Sequence, residues 1–206
     1  MSIEIKRSIK PVDYSYAINL LEERLKKVIN NKADELIWFL EHNKIYTAGT
    51  SFNESDILDK SINVIKTSRG GKITCHAPGQ AICYLVIDLN KRKRDIRKFI
   101  ISLENSIINT FKDFKIVSNS DRKNIGIWIN HNNESKKIAA IGIKVKRWIA
   151  YHGFSINICN DPKDFNKIIP CGIKNKKIVL LNEISKIKYS EFINALEKNL
   201  IKNLSV

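Results

Sequence analysis

Residues 81–89, Ala-Ile-Cys-Tyr-Leu-Val-Ile-Asp-Leu, form an almost uninterrupted apolar run. Extended, the run places Ile82, Tyr84 and Val86 on one face and Cys83, Leu85 and Ile87 on the other, so both faces must be covered. Such a strand belongs at the centre of a sheet. Cys83 is thereby assigned to the core and given no catalytic weight. An apolar fraction of 43% over 206 residues fills one ordinary core. No repeat, Gly/Ser-rich linker or low-complexity tract divides the chain, so one domain over residues 1–206 is expected.

The remaining pattern alternates between the two periods. Asp13 heads a helix in which Ala17, Ile18, Leu21, Leu25, Val28 and Ile29 recur at helical spacing, ending at Asn30-Asn31. Short strands are predicted over 35–40 and 45–48, and a long amphipathic helix over 95–114. Residues 125–129, 137–146 and 149–158 read as a meander, and Ser190 as the cap of a last helix. Helices flanking grouped strands give an α+β domain.

Several classes are excluded. The first residues carry no apolar run of signal-peptide length, and no later segment is long and uncharged enough to span a bilayer, so a cytoplasmic protein is expected. Cys75, Cys83, Cys159 and Cys171 show neither Cys-x-x-Cys pairing nor zinc-type histidine spacing, which disfavours a disulfide frame or a metal. The formal charge of +15 would attract an acidic partner. Lysine is used heavily from end to end, however, and the densest cluster, Lys91-Arg92-Lys93-Arg94, reads as a solvated connector without interleaved aromatics.

Chemistry-bearing residues are few. Pro170-Cys171-Gly172 puts a thiol in a turn, either as a presented nucleophile or as a small buried hydrophobe. The stretch from Arg69 through Gly70, Gly71, Lys72, Ile73, Thr74 and Cys75 to His76 reads as a loop able to cradle a carbonyl or a methylene chain. His76 is a candidate oxyanion donor there. It lacks both phosphate-loop spacings, which weighs against ATP and NAD. Alternation puts Lys137 on the face of Ala139, Ile141, Ile143 and Val145, either as a desolvated base or as an ordinary snorkelling lysine. His152-Gly153-Phe154-Ser155 reads as a bulge or as space left for a ligand. His42 and His131 are placed on the surface.

In order along the chain stand Glu41-His42, Tyr46-Thr47-Ala48-Gly49, Arg69-Gly70-Gly71, Thr74, His76, Pro78-Gly79-Gln80, Lys137-Ile138-Ala139, His152-Gly153 and Pro170-Cys171-Gly172. This ordered set resembles the lipoyl(octanoyl) transferase family, within the group that includes lipoate- and biotin-protein ligases. The resemblance implies a mixed, largely antiparallel sheet flanked by helices. It also implies transfer of an octanoyl group from acyl carrier protein to a lysine of a lipoyl domain, in a 2-oxoacid dehydrogenase complex or the glycine cleavage H protein. Cys171 would be the nucleophile and Lys137 its activator. Residues 69–76, Ala140-Ile141-Gly142 and Gly153-Phe154-Ser155 would line the acyl pocket, and no cofactor, metal, nucleic acid or membrane would be needed. Lys72, Cys75 and Ala77 depart from the family's usual acidic residue, tyrosine and glycine. The competing readings are an ATP-dependent lipoate- or biotin-type ligase on the same fold, and a non-catalytic basic domain binding RNA or a carrier protein.

Overall fold

The computed structural model describes residues 2–170 and 178–204. The apolar run is strand β6 (Gln80–Asp88), all nine residues buried, hydrogen-bonded to a neighbour on each side. It is third in a seven-stranded sheet of order β1-β2-β6-β10-β9-β8-β7. The other members are β1 (Ile3–Arg7), β2 (Glu35–Leu40), β7 (Asn119–Ser120), β8 (Ile127–His131), β9 (Glu134–Lys146) and β10 (Ile149–Asn157). Only β1 and β2 run parallel, so the sheet is mixed and largely antiparallel, as expected.

Both faces are covered. Helix α1 (Tyr14–Ile29) lays Ala17, Leu21, Leu25 and Val28 on Leu36, Trp38, Tyr84 and Val86. On the other face α2 (Ile96–Asp113) packs with the last helix, α4, through Phe99, Leu103, Ile107, Phe111, Phe192 and Leu196 over Leu85 and Ile87. Asp13 and Asp95 cap α1 and α2, their Oδ1 atoms accepting from Tyr16 N at 2.8 Å and Lys98 N at 3.0 Å. A smaller sheet of order β4-β3-β5 joins β3 (Ile45–Ala48), β4 (Val64–Lys66) and β5 (Ile73–His76). A one-turn helix, α3 (Leu181–Ile184), precedes α4 (Tyr189–Leu204).

Four sequence expectations change. Strand β1 went unread because Ile3 and Ile5 alternate with charged residues at a sheet edge. Residues 73–76, read as loop, are strand β5. Ser190 lies inside α4, whose first turn closes on the Lys188 carbonyl through Phe192 N at 3.1 Å. Arg92 is no solvated connector. Its guanidinium grips the wholly buried Glu35 carboxylate at 2.5 and 2.9 Å and donates to Leu204 O, at the end of α4, at 2.6 and 3.1 Å.

Candidate active site

A cavity of about 690 Å³ lies between the sheet and the segment leading into β5. Ile82 and Tyr84 of β6, Gly153 and Ser155 of β10, and Ala140 and Gly142 of β9 form much of its wall. The covering segment is held by Arg69, whose Nη2 donates to Thr47 O at 2.6 Å and Thr47 Oγ1 at 2.8 Å. Backbone meets backbone there, since a Cβ on Gly142 would lie 3.1 Å from Gly70 O, closer than side chains ordinarily pack. At Gly153 a Cβ would run into Cys83 O, so that glycine is required by the strand itself. His152 before it has φ 70, yet its pairing with β6 and β9 continues without a register shift.

Every predicted pocket residue lines this cavity except Cys75. Because residues 73–76 form a strand, Cys75 faces away from Thr74 and His76 and packs with Tyr46, Phe165 and Ile168. Burial pushes its thiol up to about 12, which makes it inert near neutrality.

Lys137 reaches the cavity by a route that plain alternation does not give. Ile127 pairs with Ala139 and Trp128 with Lys137, so Ile138 is an extra residue on β9. A bulge of one residue reverses the alternation beyond it. Ile138 and Ala139 both enter the core, while Lys137 turns to the side of Ala140 and Ser155. It is 6% exposed. Its Nζ donates to Ile125 O at 3.0 Å and lies 4.8 Å from the Trp128 ring centroid. Cys171 lies outside the described residues. The described residues on either side of the 171–177 stretch, Pro170 and Ile178, line with Lys137, Thr74 and Ser155 a crevice of about 20 Å³ beside the cavity. Val179 N donates to Lys137 O at 3.1 Å.

The histidines are more deeply placed than the sequence suggests. His42, assigned to the surface, is fully buried, with Nδ1 donating to Val12 O at 2.7 Å and Nε2 accepting from Tyr84 Oη at 2.8 Å. Tyr84 belongs to β6, and this long-range pairing left no local signal. His76 Nδ1 lies 2.7 Å from Gln80 Oε1, and Gln80 Nε2 donates to Asn157 Oδ1 at 2.8 Å. Gln80 thus offers an oxygen to His76, whose proton sits on Nδ1. His76 Nε2 is then an acceptor, not the oxyanion donor expected from the sequence.

Burial lowers His76 to about 3 and His152 to about 4, and it lowers His42 as well. All three are uncharged in the folded protein near neutrality, whereas unfolded imidazoles titrate near 6.5. Below about pH 6.5 the unfolded chain binds more protons, so stability that is complete above this pH is lost as pH falls toward about 4. Denaturant unfolding at about pH 7, 6 and 5 should show a falling midpoint, the free energy dropping with a slope that approaches about 1.4 kcal/mol per pH unit for each of His76 and His152. An unchanged midpoint down to about pH 5, where carboxylates are still largely ionised, would refute this.

Among the described residues, the ionised side chains lining the cavity are all cations, namely Arg69, Lys72, Lys123, Lys137 and Lys144. Among the described residues no group of three or more His, Cys, Asp or Glu could hold a metal ion, and no helix is long and apolar enough to cross a membrane. The site therefore offers a largely apolar cavity with room for an acyl chain, carrying cations and a neutral histidine on its wall.

Residues 13–201 match the model of the lipoyl protein ligase A/B catalytic domain. The chain is 42% identical over 193 residues to the octanoyltransferase of Wolbachia pipientis wMel, covering 93% of this chain and 94% of that one. With the octanoyltransferase of Anaplasma phagocytophilum it shares 42% over 205 residues, covering 98% and 99%. The chain belongs to the octanoyltransferases. Solved structures place this octanoyltransferase on the ligase fold. A bipartite lipoate protein ligase from Thermoplasma acidophilum superposes with a TM-score of 0.74 at 11% identity, covering 99% of this chain and 84% of that one. LipL1 of P. falciparum superposes with a TM-score of 0.72 at 18% identity, over 98% of this chain and 62% of that protein.

Proposed function

We propose that this octanoyltransferase moves an octanoyl group from acyl carrier protein to a lysine amine of a lipoyl domain through a thioester on Cys171. The observation that carries the reading is the meeting of Pro170 and Ile178, the neighbours of the Cys171 segment, with Lys137 at one end of an apolar cavity. Cys171 Sγ attacks the carrier thioester, its C–S bond breaks, and the carrier thiol leaves with the proton. The acceptor amine then attacks the enzyme thioester, forming the amide and returning the thiol to Cys171.

An ammonium has three donors, and Ile125 O takes one of those on Lys137. The rest of its charge stabilises a thiolate or the developing oxyanion, most effectively where water is excluded. Backbone amides near Gly70 and Gly71 are further donors. Thioester exchange is close to neutral in energy and amide formation draws the sequence forward, so neither nucleotide nor metal is required. The acceptors are lipoyl domains of 2-oxoacid dehydrogenase complexes or the glycine cleavage H protein, in the cytoplasm. The lining cations suit an acidic carrier protein.

Intact-protein mass spectrometry after mixing with octanoyl-acyl carrier protein, without ATP, tests the reading. The expected result is one octanoyl adduct, mapping to the peptide that carries Cys171 and lost when a lipoyl domain is added. No adduct, with lipoyl-domain modification only on adding ATP and free acid, would move the chain to the ligase chemistry of its structural neighbours.

A further inference from the structure

His76 is buried, faces the cavity, and has no part in the acylation chemistry above. Its Nδ1 proton is committed to Gln80 Oε1, and Gln80 is fixed by Asn157 at the end of β10. His76 Nε2 meets no partner among the described residues, and the ring lines the cavity. By contrast, both ring nitrogens of His42, whose centroid lies 5.9 Å from that of His76, are engaged.

A fixed acceptor in this wall needs a ligand with a donor. The octanoyl chain and its thioester carbonyl have none. A primary amine has two N–H bonds, and among the described residues no carboxylate lines the cavity to receive one. We propose that His76 Nε2 accepts a hydrogen bond from the incoming lysine amine, and that Gln80 and Asn157 are positioning residues that keep the imidazole in the tautomer able to do so. The assignment rests on the Cys171 thioester reading and concerns its second half.

In that step the amine lone pair forms the C–N bond and the C–S pair returns to Cys171 Sγ. One amine proton passes to the sulfur by way of Lys137. The other stays on nitrogen as the amide N–H, and this is the proton that His76 holds. No proton moves to His76, consistent with an imidazole that burial keeps neutral. Holding that N–H fixes the direction of the nitrogen lone pair, and misalignment of a reacting group is costly in rate.

Rapid-quench mass spectrometry on wild type, Gln80→Leu and Gln80→Glu separates the two halves, with ¹⁵N NMR of the His76 imidazole beside it. Gln80→Leu frees the ring to change tautomer. It should acquire the octanoyl adduct within about twofold of the wild-type rate and pass it to the lipoyl domain at least about tenfold more slowly. Gln80→Glu keeps an oxygen opposite Nδ1 and should recover most of the transfer rate. The wild-type spectrum should show a protonated Nδ1 and a bare Nε2. Equal slowing of both halves in Gln80→Leu would reduce Gln80 to a structural role and overturn the assignment. An unchanged transfer rate, or a protonated Nε2 in wild type, would do the same. If wild type forms no adduct, the thioester reading itself falls and takes this assignment with it.

Discussion

Lys137→Met is expected to lower the rate of octanoyl transfer by about two to four orders of magnitude, the range spanned by removing a positioned proton donor or acceptor. Methionine keeps much of the volume of the stem and removes the charge that lies over the Trp128 ring and the bond to Ile125 O. The fold should survive, because burying an ammonium costs desolvation that an apolar side chain does not incur. Two readouts separate chemistry from damage. Thermal unfolding should be unchanged or shifted upward, and alkylation of Cys171 should need higher pH, toward the value of a free thiol near 8.5. A variant that keeps its rate within about threefold would remove Lys137 from the mechanism.

Glu35→Ala is the matching prediction for stability, with an expected loss of about 3–5 kcal/mol in denaturant unfolding, the cost of leaving one member of a buried pair alone. The Glu35 carboxylate accepts from Asp88 N at 2.7 Å and from both terminal nitrogens of Arg92. That guanidinium also donates to Asp88 O and Leu204 O, so one side chain joins β2, the end of β6 and the C-terminus of α4. Without Glu35 it remains mostly buried, with carbonyls but no counter-charge. Set against the 5–15 kcal/mol typical of whole domains, this is a large fraction. Glu35→Gln should lose less, since it preserves one acceptor. A loss under about 1 kcal/mol in the alanine variant would mean that water replaces the carboxylate readily.

Features that depend on neighbours within a few residues were readable beforehand. Asp13 and Asp95 announce their helices, and the run from Ala81 to Leu89 announces a strand with two covered faces. The pocket segments followed from the ordered motifs. What escaped depends on pairs far apart in the chain. His42 looks like a turn residue until Tyr84 and Val12 close around it, and Arg92 looks solvated until Glu35 and the end of α4 meet it. Cys75 was misplaced for a different reason. Two glycines and a Pro-Gly turn surround a four-residue strand, and missing the strand hid the alternation that turns Cys75 away from Thr74 and His76.

The extra residue at Ile138 gives β9 two phases. From Ala139 onward the strand keeps time with the core beneath α2, while Lys137 keeps time with the cavity on the opposite face. Packing and chemistry are thereby tuned separately on one continuous strand, and Ala139, Ile141, Ile143 and Val145 can answer to the core without dictating where the ammonium goes. Removing that single beat would leave a well-paired sheet whose lysine faces oil.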